Sequence, residues 1–518
     1  MMNKMNLLGC MGILAASALL ASCSSSDDNV DNGGNGGGTT PSTSYTWTTN
    51  GGIKACDHIT FADGGKEDVN GTVIGNGDQE IVFTGKQTLK KGVYTLKGWV
   101  YITDGAELTI EPGTIIKGDK ATKAALIVER GGKLHATGTA TEPIVFTSAQ
   151  EAGSRRPGDW GGVIICGKAH NNQTEMQIEG GPRTKHGGQD DADNSGELQY
   201  ARIEFAGYPF KADQEINGLT MGSVGSNTKI DHIQVSYSND DSYEWFGGAV
   251  NCKYLIAYKG WDDDFDTDNG FSGKVQFGLA VRDPKIADQS QSNGFESDNC
   301  ADGAQVTPYT TAQFSNITFV GPKTATDFVN DKNYITAGNY FPNNGSGLGK
   351  FQAAMQIRRS SRLNCYNSVI TDWPIGLIID GEKGDTPAQA TAGTLKLKNI
   401  IMANSDIIGS DANKCYEDKE YDFQAKAVKA ESTQSFSHTF FLSETSNKYL
   451  ADKSSLSLTD GKGVGVPFMP QAGSILFGAQ NFEGLDSWFT NVTYVGAFNA
   501  NDTWMDGWTN FDPQNTQY

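Results

Sequence analysis

The stretch Phe314-Ser-Asn-Ile-Thr-Phe-Val-Gly321 carries large apolar groups at its first, fourth and sixth positions and glycine at its eighth. Phe489-Thr-Asn-Val-Thr-Tyr-Val-Gly496 is a near copy, and Tyr200-Ala-Arg-Ile-Glu-Phe-Ala-Gly207 follows the same template. Ile230, Ile233 and Val235 recur 22 residues later as Cys252, Leu255 and Ala257; a further step of 22 reaches Phe277 and Leu279, with Lys274 in the first position. A fixed period of this size signals stacked supersecondary units, each burying the apolar face of its neighbour. Ile233, Leu255, Phe277 and Ile317 are therefore expected to form one inward column.

Working outward, Leu108-Thr-Ile110, Leu126-Ile-Val128, Leu134-His-Ala136 and Ile144-Val-Phe146 are short alternating runs separated by Pro112-Gly113 and Gly131-Gly132. Such runs read as strands closed by turns. Helical periodicity is nearly absent between Thr48 and Gly321, which excludes βαβ architectures. A sandwich of hairpins would not hold like side chains in a 22-residue register. The expected fold is all-β: a right-handed parallel β-helix solenoid of pectin-lyase-like type, spanning 47–518, with irregular loop excursions at about 323–351 and 404–473. The charged run Glu417–Glu431 in the second excursion is the more helix-permissive part.

Glycine supplies 63 of 518 residues, well above the usual share of roughly 7%, as a turn-rich fold requires. Lys and Arg total 41 against 61 Asp and Glu, a formal charge of −20, so a nucleic-acid backbone would be repelled. Nucleic acid is excluded as a partner.

Residues 1–22 have one charge, Lys4, an apolar run from Leu7 to Leu20, and small residues before Cys23. That is the layout of a secretory signal, with an apolar run too short to span a bilayer. Leu20-Ala-Ser-Cys23 resembles a bacterial lipobox, which implies lipidation of Cys23, and Ser24-Ser-Ser-Asp-Asp28 resembles the acidic export signal of Bacteroidota surface lipoproteins. The expected location is the cell outer membrane, lipid-anchored and surface-exposed. Residues 23–46 read as a flexible tether. Beyond Cys10 and Cys23, the six cysteines Cys56, Cys166, Cys252, Cys300, Cys365 and Cys415 match no metal motif, and buried thiols and disulfides both stay open.

Gly158-Asp-Trp-Gly-Gly162, Asn194-Ser-Gly-Glu-Leu198, Ser238-Asn-Asp-Asp241, Asp262-Asp-Asp-Phe-Asp266 and Gly507-Trp-Thr-Asn-Phe-Asp-Pro513 together resemble a family of Bacteroidota surface lipoproteins with a predicted β-helix. The resemblance covers nearly the whole mature chain. It implies fold and location and carries no catalytic residues, since no reaction is established for that family.

Chemistry is read from the acids. In the repeat register Asp240, Asp241 and Glu244 superpose on Asp262, Asp263 and Asp266, and Glu296 and Asp298 superpose on Asp266 and Asp268. Equivalent positions on adjacent coils lie about 4.8 Å apart. Period-two alternation then puts Glu244, Asp266, Asp268, Glu296 and Asp298 on one face. Two carboxylates at about 5 Å repel by roughly 0.8 kcal/mol in water and about 3 kcal/mol at an effective dielectric of 20. The stack needs a hard cation, with Ca²⁺ as the expected metal, or else proton sharing, full solvation or a ladder of loop amides. Asp264-x-Asp266-x-Asp268 opens like an EF-hand loop but has Asn269 at its glycine position and Val275 at its final glutamate position. Trp245 and Trp261 adjoin the acids and, with Asp263, are the expected ligand-binding residues, the aromatics by stacking on sugar rings or else as core.

Asp266-Thr-Asp-Asn269 and Asp262-Asp263 are similar to the paired-aspartate motifs of polygalacturonases, but the downstream His-Gly and Arg-Ile-Lys motifs of that family are missing. A Ca²⁺-dependent lyase would need a base, for which Lys259, Arg282, Arg358 and Arg359 are available. Two readings follow. One is a cell-surface binding or interaction module, Ca²⁺-dependent and glycan-directed or part of an outer-membrane uptake or assembly complex. The alternative is a Ca²⁺-dependent polysaccharide lyase or a glycoside hydrolase.

Overall fold

The computed structural model describes residues 43–50, 53–61, 72–75, 81–83, 85–173, 176–179, 182–211, 214–336, 349–407 and 417–518. The signal segment 1–22, Cys23, most of the 23–46 tether, Cys415 and the side chain of Cys56 lie outside the described residues. Within them, one strand per coil enters a 12-stranded sheet and the rest of the coil enters a 17-stranded sheet. The first strand, Thr43–Asn50, joins the 12-stranded sheet antiparallel to Ile53–Phe61; from there on coil-to-coil pairing is parallel, for example Ile230 with Cys252 and Ile233 with Leu255. The chain is a right-handed parallel β-helix.

Inward residues form one continuous core running from Ile74 through Trp245 and Phe319 to Met402. The 22-residue step holds once and then lengthens by one residue, pairing Cys252 with Val275 and Leu255 with Gly278. Val275, not Lys274, thus fills the first inward position, and the column reads Ile233, Leu255, Gly278, Ile317. Phe277 is displaced from it because it occupies a left-handed bend (φ 64°) and stacks on Tyr254 at 5.0 Å. Gly278 is small because a Cβ there would meet Ile317 Cδ1 at 2.8 Å.

The excursions are only partly as expected. Glu417–Glu431 contributes a hairpin, Tyr421–Asp422 with Ala427–Val428, and the helix follows it at Phe436–Ser443, capped by Ser435. Ser437 Oγ accepts a hydrogen bond from the Ile379 amide at 2.8 Å, so this helix covers Leu377–Ile379, the last strand of the 12-stranded sheet. Covering an edge strand removes a template for aggregation. Within 323–351, the short helix Lys332–Thr336 is described and 337–348, including most of Gly345–Gly349, lie outside the described residues.

Phe489–Gly496 is not a coil. Residues 481–518 run back along the outside of the 17-stranded sheet as an extended strap, reaching Asn367 at one end and Lys117 at the other. Its backbone is held by outward side chains. Gln276 both donates to the Thr490 carbonyl and accepts from the Thr490 amide, each at 2.8 Å, and Gln234 does the same for Asn510. An apolar template of this length suits an extended strap as well as an inward strand, which is why the near copy misled.

Cys166, Cys252, Cys300 and Cys365 are free and buried. Among the described residues no helix is long and apolar enough to cross a membrane.

Candidate functional site

The strands Tyr243–Phe246, Phe265–Asp268, Phe295–Ser297 and Met355–Ile357 are successive neighbours in the 12-stranded sheet. Their first inward column is aromatic over three strands and ends in Met355: Tyr243 stacks on Phe265 at 5.5 Å and Phe265 lies against Phe295 at 6.0 Å. This interior stack pins the register, since a slip of one residue would exchange rings for carboxylates in the core. The outward column consequently reads Thr220, Glu244, Asp266, Glu296, Gln356.

These acids open into a cleft of about 600 Å³ lined by twelve carboxylates and two arginines, Arg358 and Arg359. Glu244, Asp263, Asp266, Asp268, Glu296 and Asp298 all line it. Three groups of carboxylates each hold oxygens within 4.8 Å of one another: Asp240 with Asp241 and Asp262, Asp241 with Glu244 and Asp266, and Asp263 with Asp266 and Glu296. Shared members link the three into one chain of acid.

Arg358 and Arg359 supply counter-charge at one end. Arg358 Nε donates to Asp298 Oδ1 at 2.9 Å and the same guanidinium contacts Glu296, while Arg359 contacts Asp298. Among the described residues no cationic side chain lies within 4.0 Å of the carboxylates of Asp240, Asp241, Glu244, Asp262 or Asp266. Neutral donors satisfy some oxygens: Asn217 donates to Glu244, the Asp263 amide to Asp241 at 2.8 Å, and Ser290 to Asp262 at 2.6 Å. Asp266 Oδ1 and Asp262 Oδ1 are buried and have no partner.

Removal from water, followed by repulsion from Glu244 and Glu296, holds the Asp266 carboxyl well above its usual range. Burial and then Glu179 raise Glu244, and burial and then Asp240 raise Asp241. Asp268 is pushed up to about 8 by burial and by Asp298. A site made only of oxygen donors, with excess negative charge and an orphaned carboxylate oxygen, fits a hard divalent cation. Glu244, Asp241, Asp266, Asp263 and Glu296 would hold it.

Trp245 and Trp261 do not face this cleft. Both have no accessible surface and belong to the core; Trp245 stacks on Phe271 at 5.3 Å. Alternation sends Trp245 inward between Glu244 and Phe246, and Phe246 is the aromatic that lines the cleft. Arg282, a candidate base, is also interior: it pairs with Asp264 at 2.9 Å, with neither side chain exposed, and donates to the Asp262 and Trp261 carbonyls. It positions the loop bearing Asp262 and Asp263. Sequence reasoning missed Glu179, Glu215 and Asp288, which also line the cleft. They come from hairpins and loops outside the repeat, where no periodic signal exists.

No curated protein and no solved structure matches the chain. Residues 79–443 match the family described as the pectate-lyase like β-helix domain. With the parallel sheets and their outward cleft in place, that match over most of the molecule shows that the chain belongs to the pectate-lyase-like β-helix family.

Proposed function

We propose that the protein is a cation-dependent, glycan-directed binding module of the cell surface, anchored in the outer membrane through lipid on Cys23. One observation carries the reading: Glu244, Asp266 and Glu296 stand in register in a cleft with Asp241 and Asp263 beside them, and Asp266 Oδ1 is buried with no hydrogen-bond partner and, among the described residues, no cationic side chain within 4.0 Å of its carboxylate. Bound there, Ca²⁺ would supply positive charge and vacant coordination positions for the carboxylates or hydroxyls of a saccharide, which the bare cleft would repel. The chain's part is to hold the oxygens together through the aromatic register. On this reading the tether and lipid would hold the cleft outside the cell, where Ca²⁺ is plentiful; an uptake or assembly complex at the outer membrane is the setting such a module would serve.

A second reading, a polysaccharide lyase, needs a base beside the site that neutralises the substrate's carboxylate; Arg358 and Arg359 line the cleft, but their ion pairs with Glu296 and Asp298 hold them protonated, so one of them would have to leave its partner before it could take a proton. Thermal melting with and without metal tests the first reading. At one hundred times its Kd, Ca²⁺ should stabilise the protein by about 2.7 kcal/mol, and Asp266→Asn or Glu244→Gln should remove most of that gain. If Ca²⁺ acts no differently from Mg²⁺ at equal ionic strength, the proposal fails. Unsaturated product from polygalacturonate, followed by ultraviolet absorbance and lost in Arg358→Ala, would establish the lyase instead.

A further inference from the structure

One end of the 17-stranded sheet carries a cluster of reactive side chains, none of which lines the acidic cleft. Val369–Thr371, Ile401–Ala403 and Lys448–Leu450 are successive parallel neighbours there, with Thr371, Ala403 and Leu450 in register. Among the described residues Lys448–Leu450 pairs on one side only, and such an edge strand is a template for foreign pairing. Asp372 and Asn404 follow directly on the first two strands, both in left-handed backbone (φ 65° and 49°). Lys453 comes shortly after the third.

A single carboxylate holds the other two side chains. Lys453 Nζ donates to Asp372 Oδ2 at 2.7 Å, and Asn404 Nδ2 donates to Asp372 Oδ1 at 2.6 Å. An ionised carboxylate only accepts, so the atom of Asn404 that faces it is the amide nitrogen. Thr371 Oγ1 donates to the same carboxylate at 2.9 Å, and the Asp372 side chain is 1% exposed against 34% for Lys453. The strands that lead into the cluster contribute Val369, Ile401 and Ala403 to an apolar patch with Leu456. On the preceding coil the residue equivalent to Asp372 is Gly321, so the coil itself does not require an acid at this position.

An amine and a carboxamide bridged by a carboxylate are the full set of groups for an amide exchange. We propose that Lys453 and Asn404 join in an isopeptide bond, with Asp372 as the catalytic acid and base. Asp372 takes a proton from the Lys453 ammonium, and the freed Nζ lone pair attacks Asn404 Cγ, sending the carbonyl electron pair onto Oδ1. Asp372 then hands its proton to Nδ2 and relays the surplus Nζ proton to the same atom. Oδ1 returns its electrons, the Cγ–Nδ2 bond breaks, and the nitrogen leaves as ammonium. One Nζ–Cγ bond has replaced one Cγ–Nδ2 bond, Asp372 ends as it began, and no oxidant or cofactor takes part. The shared carboxylate supplies the proximity that a free lysine and a free asparagine lack. Such a staple ties the edge strand to its neighbour and closes the intervening chain into a loop, as a disulfide would, in a protein whose Cys166, Cys252, Cys300 and Cys365 are all free. It is independent of the proposed function.

The test is tryptic peptide mapping of the full folded chain by mass spectrometry. Wild type should yield one branched peptide whose mass equals that of the Asn404 and Lys453 peptides less one ammonia, with no cleavage after Lys453. Limited trypsin cutting after Lys426, exposed in the hairpin between the two residues, should leave pieces that still migrate together in denaturant. Lys453→Arg keeps an ion pair with Asp372 but brings no comparable nucleophile, and Asp372→Asn removes the base. Each variant should give the two separate peptides, and its cut pieces should part. Separate peptides of full mass from folded wild type would overturn the inference. So would an ammonia loss that persists in Lys453→Arg, because it would then arise at another asparagine.

Discussion

Arg282 and Asp264 show how a residue's role changes once its surroundings are known. In the sequence Arg282 is a cation near an acidic repeat; in the fold both partners are sealed in the interior, and the guanidinium lies 5.4 Å from the centre of the Phe351 ring. Burial raises the Asp264 carboxyl to about 6 against the pull of Arg282. Removing one member of a buried pair leaves the other uncompensated, at a cost of about 3–5 kcal/mol. Arg282→Ala should therefore lose stability of that order at pH 8 and less at pH 5, where Asp264 can take up a proton. Equal loss at both pH values, measured by denaturant unfolding, would refute this account. The same sorting applies to Trp245 and Trp261, interior despite their acidic neighbours.

At the scale of elements, the 17-stranded sheet bends at one left-handed residue per coil: Tyr200, His232, Tyr254, Phe277, Asn316, Asn367 and Asn399 have φ between 46° and 64°. Left-handed backbone is costly for most side chains, and here each is supported by the coil above and below. Tyr200, His232, Tyr254 and Phe277 stack at 4.2, 4.4 and 5.0 Å; farther along, Asn399 donates to Asn367 at 3.2 Å. The C-terminal strap crosses this column, with Trp508 edge-on to His232 at 5.7 Å. Side-chain amides such as Gln276 replace a strand partner for the strap. Gln276→Ala removes both hydrogen bonds to Thr490 and a third, donated to Asn316 at 3.1 Å, worth about 0.5–1.5 kcal/mol each, and should speed amide exchange at Thr490 while the coils stay protected. Unchanged exchange at Thr490 would show that the clasp does not hold the strap.

Across the whole molecule the acidic cleft sets a pH dependence. Asp241, Glu244 and Asp266 have carboxyls raised above their unfolded values by burial and mutual repulsion. The folded state therefore binds more protons than the unfolded one, and stability falls as pH rises. The window runs from about 4, where unfolded carboxyls titrate, to about 8, where Asp268 ionises. In chelator, melting should occur at higher temperature at pH 5 than at pH 8, with a shallower slope in Asp266→Asn, and Ca²⁺ should stabilise more at pH 8. Melting that improves with pH in chelator would contradict the assigned crowding of charge.

Much of this architecture is legible in the order of residues. A parallel coil repeats its environment at every turn, so like side chains recur at a near-constant period and alternation separates inside from outside; this is why the repeat register puts Glu244, Asp266 and Glu296 on one face, and why they pair there. Period alone is blind to three things. It does not register a one-residue lengthening of a turn, which replaced Phe277 by Gly278 in the inward column. It does not distinguish an inward strand from an extended segment laid on the surface, as with Phe489–Gly496. Nor does it reach contributions from outside the repeat: Glu179, Glu215 and Asp288 join the acids only because hairpins and loops fold beside the sheet. The coil and its acidic column are built from contacts at a near-constant separation along the chain, which a sequence records, whereas the remaining walls of the cleft depend on contacts at arbitrary separation, which only packing in three dimensions decides.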